Sequence, residues 1–339
     1  MAAVDPDVYL DLAAEGGLAA VLERVAADAG TPLAVTPDRW DATRRAGLAA
    51  SVPDRHPLSV EFSGSGDGRC FRMYGLSMGV TLIEGATSDA RDVIRAGVAW
   101  GRGASLREMR RLLPFLRSDE LAEAHERGPA DAVALQWRQM LDDAAARWSY
   151  PGYRPLLEAA HAVPELRELY PYSSHWRLVL SACTGFPTAV KAVFLPLEDG
   201  RYGVRTTLSP ETTVGEADTV EDALALAVSH LPAGLGPAVA GTGVGVQVRS
   251  WDGTVEARGK HGVIWGPELA GLDPSAFPML GHVMPDADTV FNSRQVPTLL
   301  EEIARLPPGV VPDESARELR ELGRTVLDGQ LLLWFSASP

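Results

Sequence analysis

The chain has 339 residues, 46% of them hydrophobic and 22% charged, which is the composition of a folded globular protein and excludes a disordered one. This length exceeds the usual size of a single hydrophobic core, so the sequence predicts two or three domains. The formal net charge of −14 disfavours binding to phosphate backbones or to anionic membranes, so we expect neither a nucleic-acid nor a membrane partner.

Cysteine usage and the first residues of the chain indicate its compartment. There are two cysteines, Cys70 and Cys183, whereas a secreted disulfide scaffold usually has more cysteines in fewer residues. The first residues are acidic and lack the basic and apolar regions of a signal peptide. No stretch approaches the roughly 18 consecutive apolar residues that cross a bilayer. We therefore expect a cytoplasmic protein.

Hydrophobic periodicity defines the elements of the first hundred residues. Apolar residues recur at helical spacing from Leu18 to Val25, and Gly30 can end that helix. Alternating runs of apolar and polar residues are typical of strands, and Asp89 is a helix N-cap residue. The segment 37–56 is rich in Arg, Asp and Pro and is expected to be irregular. The predicted elements are a helix at 18–29, strands at 33–35, 57–63, 69–74 and 80–84, and a helix from 89 to about 100.

Residues 105–148 are predicted to form helices only. Leu106, Met109, Leu113 and Leu116 form one apolar stripe, and Pro114 should end or kink that helix. A further helix is expected at 130–148, followed by a short helical pair at 155–169. Trp137, Trp148 and Trp176 are most simply explained as core residues.

The block that starts at 170 has the same plan as the first hundred residues. Strands are predicted at 176–181, 190–195, 202–207 and 212–215. Thr219 and Asp222 then form a capping-box pattern for a helix that ends near His230, before Pro232. A structural repeat and ordinary helix capping after a strand explain this similarity equally well.

The remaining residues complete an α+β protein. Strands are predicted at 244–248, 263–265 and 288–291, helices at 292–306 and 314–327, and a buried closing strand at 331–335. Because strands and helices are mixed but segregated, the fold class is α+β, with small antiparallel sheets. The predicted domains are an α+β unit at 1–103, a helical segment at 104–168, a second α+β unit at 169–248 and an α+β region at 249–339.

Cys183, His175 and Ser174 are the candidates for catalytic chemistry. A cysteine and a histidine could act as nucleophile and base, but a straight strand of eight residues would hold Cys183 and His175 about 26 Å apart. They form no local dyad unless the chain turns back sharply at Gly185 and Pro187. Cys183 is more typical of a small buried apolar residue, and His175 of a structural hydrogen-bonding residue.

Two groups of residues are candidates for binding. Tyr172, Ser174, His175 and Trp176 place hydroxyls and an imidazole beside aromatic rings, which is what the rim of a binding pocket needs. The second group, Arg107, Arg110 and Arg111, could hold an acidic segment or an anionic ligand, although a solvated helix face explains it as well.

No metal or cofactor site is expected. The histidines lack the spacing of metal ligands. The glycines at 241–245 depart from the dinucleotide-binding pattern, and the chain has no phosphate-binding Gly-Lys-Ser/Thr motif.

Five motifs stand out, at 119–133, 170–176 (Tyr-Pro-Tyr-Ser-Ser-His-Trp), 181–187 (Ser-Ala-Cys-Thr-Gly-Phe-Pro), 215–223 and 230–238. Together they resemble an uncharacterised actinobacterial family, a domain of unknown function labelled as a natural product biosynthesis protein. The resemblance covers roughly residues 5–245. It implies an accessory role in specialised metabolism, and it carries no catalytic residue.

Three functions remain open. The first is an accessory protein that binds a peptide, carrier or enzyme of a biosynthetic pathway without chemistry of its own, which open sheet edges would suit. The second is an enzyme whose site is assembled around Tyr172 to Cys183. The third is an immunity protein, antitoxin-like, that binds a basic toxin. The sequence indicates no oligomeric state.

Overall fold

A computed structural model of the chain describes residues 15–31, 33–52, 55–65, 68–147, 150–259, 262–284, 287–308 and 310–336. These residues form eleven α-helices and three antiparallel sheets, which confirms the α+β class. The chain divides into an N-terminal unit, residues 1–126, and a C-terminal unit, residues 127–339. This division lies within the helical segment predicted at 104–168.

The N-terminal unit is built on sheet 1, in which six strands follow one another in chain order. Helices α2 and α3 pack with the sheet around a core that includes Trp100, Leu58 and Met73. The Trp100 indole N–H donates to the carbonyl of His56 at 2.8 Å. The elements are α1 (Leu18–Asp28), β1 (Val35–Pro37), β2 (Arg45–Leu48), β3 (Leu58–Ser65), β4 (Gly68–Ser77), β5 (Val80–Thr87), α2 (Ala90–Gly101), α3 (Leu106–Leu112), β6 (Leu116–Arg117) and α4 (Glu120–Arg127).

Two short strands of this unit correct the sequence predictions. The segment 37–56 was expected to be irregular but contains β2, and 105–148 was expected to be helical throughout but contains β6. Each is held by a longer neighbour, β2 by β3 and β6 by β5. Strands of two to four residues carry too little periodicity to be recognised, because their pairing partner fixes them. The expected break at Pro114 is confirmed, since α3 ends at Leu112.

The C-terminal unit begins with helices and sheet 2. Its five strands also follow chain order, and their buried face packs with the helices around Trp137, Leu178 and Phe194. The elements are α5 (Pro129–Arg147), α6 (Tyr153–Ala162), α7 (Pro164–Arg167), β7 (Tyr170–Ser174), β8 (Arg177–Ser181), β9 (Val190–Pro196), β10 (Tyr202–Arg205), β11 (Thr213–Ala217) and α8 (Val220–Ser229). Trp137 is 1% exposed, as predicted, whereas Trp148 lies outside the described residues.

The last third of the chain forms sheet 3 and the third core. Strand β12 is its buried centre: β16 pairs with one edge, and β13 and β14 pair with the other. The predicted closing strand is confirmed, because β16 pairs with both β12 and β15. The elements are β12 (Thr242–Arg249), β13 (Val255–Arg258), β14 (Val263–Trp265), α9 (Pro267–Ala270), β15 (Thr289–Asn292), α10 (Val296–Arg305), α11 (Asp313–Gly329) and β16 (Leu332–Ser336).

In each unit, a helix with a side-chain N-cap follows the run of sequential antiparallel strands. The Asp89 side chain accepts from the backbone N–H of Arg91, and the Thr219 hydroxyl accepts from that of Asp222 at 3.1 Å. Both predicted N-caps are therefore confirmed. Five sequential strands and then a capped helix occur in the same order in each unit, whereas the sequence predicted four strands before each capped helix.

Candidate functional site

The β7–β8 hairpin carries the residues predicted to rim a pocket. Ser174 pairs with Arg177, so His175 and Trp176 form a two-residue turn, and their φ angles are +49° and +66°. The sequence predicted a strand from residue 176, but Trp176 lies in the turn and β8 begins at Arg177. Such turns usually contain Asn-Gly, since both central residues need positive φ, so His-Trp gave no recognisable turn signal.

The side chains of the turn lie at the surface. Trp176 is 45% exposed, so its prediction as a core residue is wrong. Its ring stacks on Tyr150, with ring centroids 5.5 Å apart and an interplanar angle of 11°. His175 is exposed, and its Nδ1 lies 3.3 Å from the Ser174 hydroxyl. The hairpin thus presents an imidazole, a hydroxyl and a stacked indole without enclosing them.

Cys183 and His175 lie beyond opposite ends of strand β8. His175 is in the turn that precedes Arg177, whereas Cys183 follows Ser181, the last residue of the strand. Although the chain does turn back after Cys183, it returns along β9 and leaves the hairpin turn at the far end. The structure does not bring these two residues together as nucleophile and base.

Residues 182–188 form a loop between β8 and β9, hereafter the 182–188 loop. The side chain of Ser181, at the base of the loop, is fully buried. Its hydroxyl accepts from the backbone N–H groups of Cys183 and Ala189, each at 3.1 Å. The same hydroxyl donates to the carbonyl of Cys183 at 2.7 Å. The Tyr172 hydroxyl lies 2.9 Å from that of Thr188, which ties the loop to β7. Side-chain hydrogen bonds from β7 and β8 therefore fix one side of the loop.

A backbone ladder fixes the other side of the loop to residues 239–243, which lead into β12. The N–H of Val239 donates to the carbonyl of Ala182, and the N–H of Thr184 donates to the carbonyl of Val239. The N–H of Gly185 then donates to the carbonyl of Gly241. At the end of the ladder, the N–H of Gly243 donates to the carbonyl of Pro187 at 2.7 Å. The Phe186–Pro187 peptide bond is cis. This ladder joins sheet 2 to the first strand of sheet 3 through the loop.

The side chain of Cys183 is fully buried within this hydrogen-bonded loop. Its side chain is 0% exposed, and its sulfur lies 3.2 Å from the backbone nitrogen of Ala189. Burial raises the pKa of the thiol, and the weaker effects of Ser181, backbone N–H groups and Lys191 act in the opposite direction. Because the thiolate is the reactive form, the environment of Cys183 disfavours nucleophilic chemistry.

Alkylation of the two cysteines tests this assignment. We expect iodoacetamide to modify the partly exposed Cys70 in the folded protein and to leave Cys183 unmodified, because its sulfur is buried and protonated. Peptide mass spectrometry would measure both sites, with the unfolded chain as the control in which both react. Modification of Cys183 at the rate of Cys70 in the folded state would contradict the assignment and favour the enzyme hypothesis.

The outer side of the 182–188 loop exposes apolar surface. Phe186 is 71% exposed, although the residues on both sides of it are buried. Val239, which pairs with Cys183 across the ladder, is 46% exposed. Phe186 and Val239 are therefore exposed apolar side chains on two segments that backbone hydrogen bonds hold together.

Lys191 is the charged residue that follows the 182–188 loop in the sequence. It is partly buried at the start of β9, two residues after Ala189, which is the spacing of side chains on one face of a strand. Burial lowers the pKa of Lys191, and the electrostatic effects of Cys183, Glu318 and Glu314 oppose this shift without cancelling it. Lys191 was not predicted as a site residue, although the sequence carries one signal: it is one of two lysines among 31 basic residues, and it stands within an apolar run.

The three predicted arginines belong to the N-terminal unit. Arg110 forms an ion pair with Glu123 and donates to the Ser118 hydroxyl at 2.9 Å, so its guanidinium is already engaged. Arg107 and Arg111 are exposed on α3. A site for an anion on this helix would therefore depend on these two residues.

Two observations on the described part of the chain concern metal ligands and membrane-spanning helices. None of its His, Cys, Asp and Glu side chains form a group of three or more that could hold a metal ion. None of its helices combines the length and the apolarity needed to cross a bilayer.

One family model matches part of the chain. It is described as a family of unknown function (DUF6193), and it matches residues 131–242, about a third of the sequence. The match runs from α5 to the first residue of β12, so it contains sheet 2, the 182–188 loop and Lys191. No curated protein and no solved structure was found to be similar. The match thus confirms a domain of unknown function over residues 131–242, which lie within the 5–245 where the sequence predicted a resemblance, and it attaches no function.

Proposed function

We propose that the protein binds a polypeptide partner, using the 182–188 loop with Phe186 as its anchor. Exposure of Phe186 at 71% on a loop fixed from both sides is the observation that carries the proposal. We further propose, from the resemblance described above, that the partner is a peptide, carrier or enzyme of specialised metabolism and that the role is accessory.

The fixed loop supports a binding role because it lowers the cost of association. Ordering a mobile side chain or loop on binding consumes part of the interaction energy, and a loop already held by hydrogen bonds avoids that cost. Ser181, Tyr172 and Thr188 hold it from one side, and the ladder to 239–243 holds it from the other. Aromatic residues on such surfaces are enriched at protein interfaces.

The net charge of the protein indicates which charge its partner should carry. The net charge of −14 favours association with a basic polypeptide and repels an acidic one. This observation also favours a second candidate function, an immunity protein that neutralises a basic toxin. The identity of the partner distinguishes the two, because an accessory protein would bind a biosynthetic component.

Replacement of Phe186 by alanine is expected to leave the fold intact and to weaken partner binding about 30-fold, the effect of losing an aromatic hot spot worth about 2 kcal/mol. The tagged wild-type protein would be purified from its own host, and captured proteins would be identified by mass spectrometry. The affinity of the captured partner for each variant would then be measured by calorimetry.

Trp40→Ala is the matched control, because Trp40 is 83% exposed and belongs to the N-terminal unit. A partner that is captured by the wild type and by Trp40→Ala, but is lost with Phe186→Ala, would support the proposal. A partner captured equally by all three proteins would place the binding surface elsewhere and overturn it.

A further inference from the structure

The two faces of sheet 3 differ in character. One face belongs to the third core, where Val248 and Leu333 pack with residues of α10 and α11. Because side chains alternate along a strand, the residues between these core positions lie on the opposite face. That opposite face, hereafter the Trp334 face, is partly exposed: Trp334 is half-buried, Val290 is 38% exposed and Arg258 is exposed. It is part of neither the core nor the 182–188 loop.

The strand register places four residues of the Trp334 face in one row. Gln247 of β12 lies opposite Arg258 of β13 on one side and opposite Trp334 of β16 on the other. Trp334 in turn lies opposite Val290 of β15. Directly opposed side chains share a face, with Cβ atoms about 4.5–5.5 Å apart. The row therefore runs from a cationic end on β13 to an apolar end on β15.

Arg249 is held in a defined orientation beside this row. Its Nε and Nη2 groups donate to the Gln247 side-chain oxygen at 3.0 and 2.9 Å. Its guanidinium carbon lies 4.3 Å from the centroid of the Trp334 ring, which is a cation–π distance. Leu332 is its cross-strand neighbour on β16. A neutral amide and an indole thus orient the cation, and neither of them neutralises it.

No acidic side chain neutralises Arg249 either. Within the described part of the chain, its guanidinium forms no ion pair shorter than 4.0 Å, although the protein has 45 acidic residues. Gln247 occupies the Nε side of the guanidinium, so Nη1 and the second hydrogen of Nη2 remain available. This is an edge through which arginine binds a carboxylate with two parallel hydrogen bonds. Arg249 is half-buried, so the edge lies near the surface in partly desolvated surroundings.

We propose that the Trp334 face binds an apolar monocarboxylate. The Nη1–Nη2 edge of Arg249 donates two hydrogen bonds to the carboxylate, and the apolar body of the ligand lies against Leu332 and Val290. Arg258 adds a second positive charge at the cationic end of the row. The net charge of −14 repels a ligand with several negative charges more strongly than one with a single charge, which is why the ligand is a monocarboxylate.

This site goes beyond the partner binding proposed above and does not depend on it. It uses one face of sheet 3, whereas partner binding uses the exposed Phe186 on the 182–188 loop. The two proposals can fail separately, because the ligand site is measured on the purified protein alone and partner binding needs the captured polypeptide.

Calorimetry with three small probes tests the ligand class. The purified full-length protein would be titrated at pH 7 with 3-phenylpropanoate, with its neutral analogue 3-phenylpropanamide and with acetate, which lacks the apolar body. We expect saturable one-site binding of 3-phenylpropanoate, with each of the other two probes weaker by at least about tenfold. Equal affinities for the acid and the amide would overturn the proposal, as would the absence of saturable binding of 3-phenylpropanoate at millimolar concentrations. Equal binding of acetate would overturn the assignment of an apolar ligand.

Three variants test the location of the site. Gln247→Glu places a carboxylate beside Arg249 with little change in shape, so it should weaken binding of 3-phenylpropanoate on the order of 30-fold. Arg249→Lys keeps the charge but loses the planar edge, and it should weaken binding about tenfold. Arg205→Lys, on a strand of sheet 2, is the matched control and should bind like the wild type. Circular dichroism would confirm that each variant is folded, and wild-type affinity in a folded Gln247→Glu variant would overturn the proposal.

Discussion

Replacement of Glu302 by alanine should destabilise the C-terminal unit by about 4 kcal/mol, because one buried and one partly buried backbone donor lose their acceptor at a cost of about 1–3 kcal/mol each. Glu302 lies on α10 and is 0% exposed. Its carboxylate accepts from the N–H of Met279 at 3.0 Å and from that of Leu280 at 2.8 Å. The Glu302 side chain therefore holds the segment that precedes β15 against α10. Urea denaturation would measure the free energy of unfolding.

Two variants of the same helix are the controls. Glu301 is the preceding residue and is exposed, so Glu301→Ala should change the stability by no more than about 0.5 kcal/mol. Glu302→Gln keeps one acceptor oxygen but turns an NH₂ group toward the backbone donors, so it should fall between the two alanine variants. Equal stability of Glu302→Ala and Glu301→Ala would show that the buried carboxylate does not hold this segment.

Replacement of Gly243 by alanine should cost about 3 kcal/mol, the upper part of the range for overpacking a closely packed site. A Cβ at this position would lie 2.6 Å from the carbonyl oxygen of Thr188, 2.7 Å from the carbonyl carbon of Thr188 and 2.8 Å from the backbone nitrogen of Ala189. All three are backbone atoms, so no side-chain rotation relieves the contact. Because the N–H of Gly243 also bonds to Pro187, the substitution must separate β12 from the 182–188 loop.

Gly203→Ala is the matched control for this substitution. Gly203 also lies in a strand of the C-terminal unit, but its added Cβ would meet the Leu195 side chain at an ordinary distance of 3.7 Å. We expect this variant to be as stable as the wild type or slightly more stable, since alanine restricts the unfolded chain. Similar stabilities of the two alanine variants would contradict the close approach of the loop and β12.

Much of the fold was predictable because its elements are long or capped. The closing strand and both capped helices follow from periodicity and from local hydrogen bonds. The β7–β8 hairpin was missed because its turn consists of His175 and Trp176, which rarely adopt positive φ. In that case the strand pairing, and not the turn sequence, determines the local conformation.

The candidate site was less predictable, since its geometry depends on contacts that are distant in sequence. The sequence drew attention to Cys183 and Tyr172, but it could not show that residues 239–243 pair with the 182–188 loop. Lys191 and Glu302 were missed for a related reason. Charged residues are expected at the surface, and their burial is decided by partners that only the folded chain brings near.

Site-specific photo-crosslinking is the most direct test of partner binding through Phe186. A photoreactive p-benzoylphenylalanine would replace Phe186 in one variant and Trp40 in the other, and both would be irradiated in the host cell. The proposal predicts a covalent adduct with one polypeptide at position 186 and none with that polypeptide at position 40. Co-purification of the partner without an adduct at 186, or equal adducts at both positions, would contradict it.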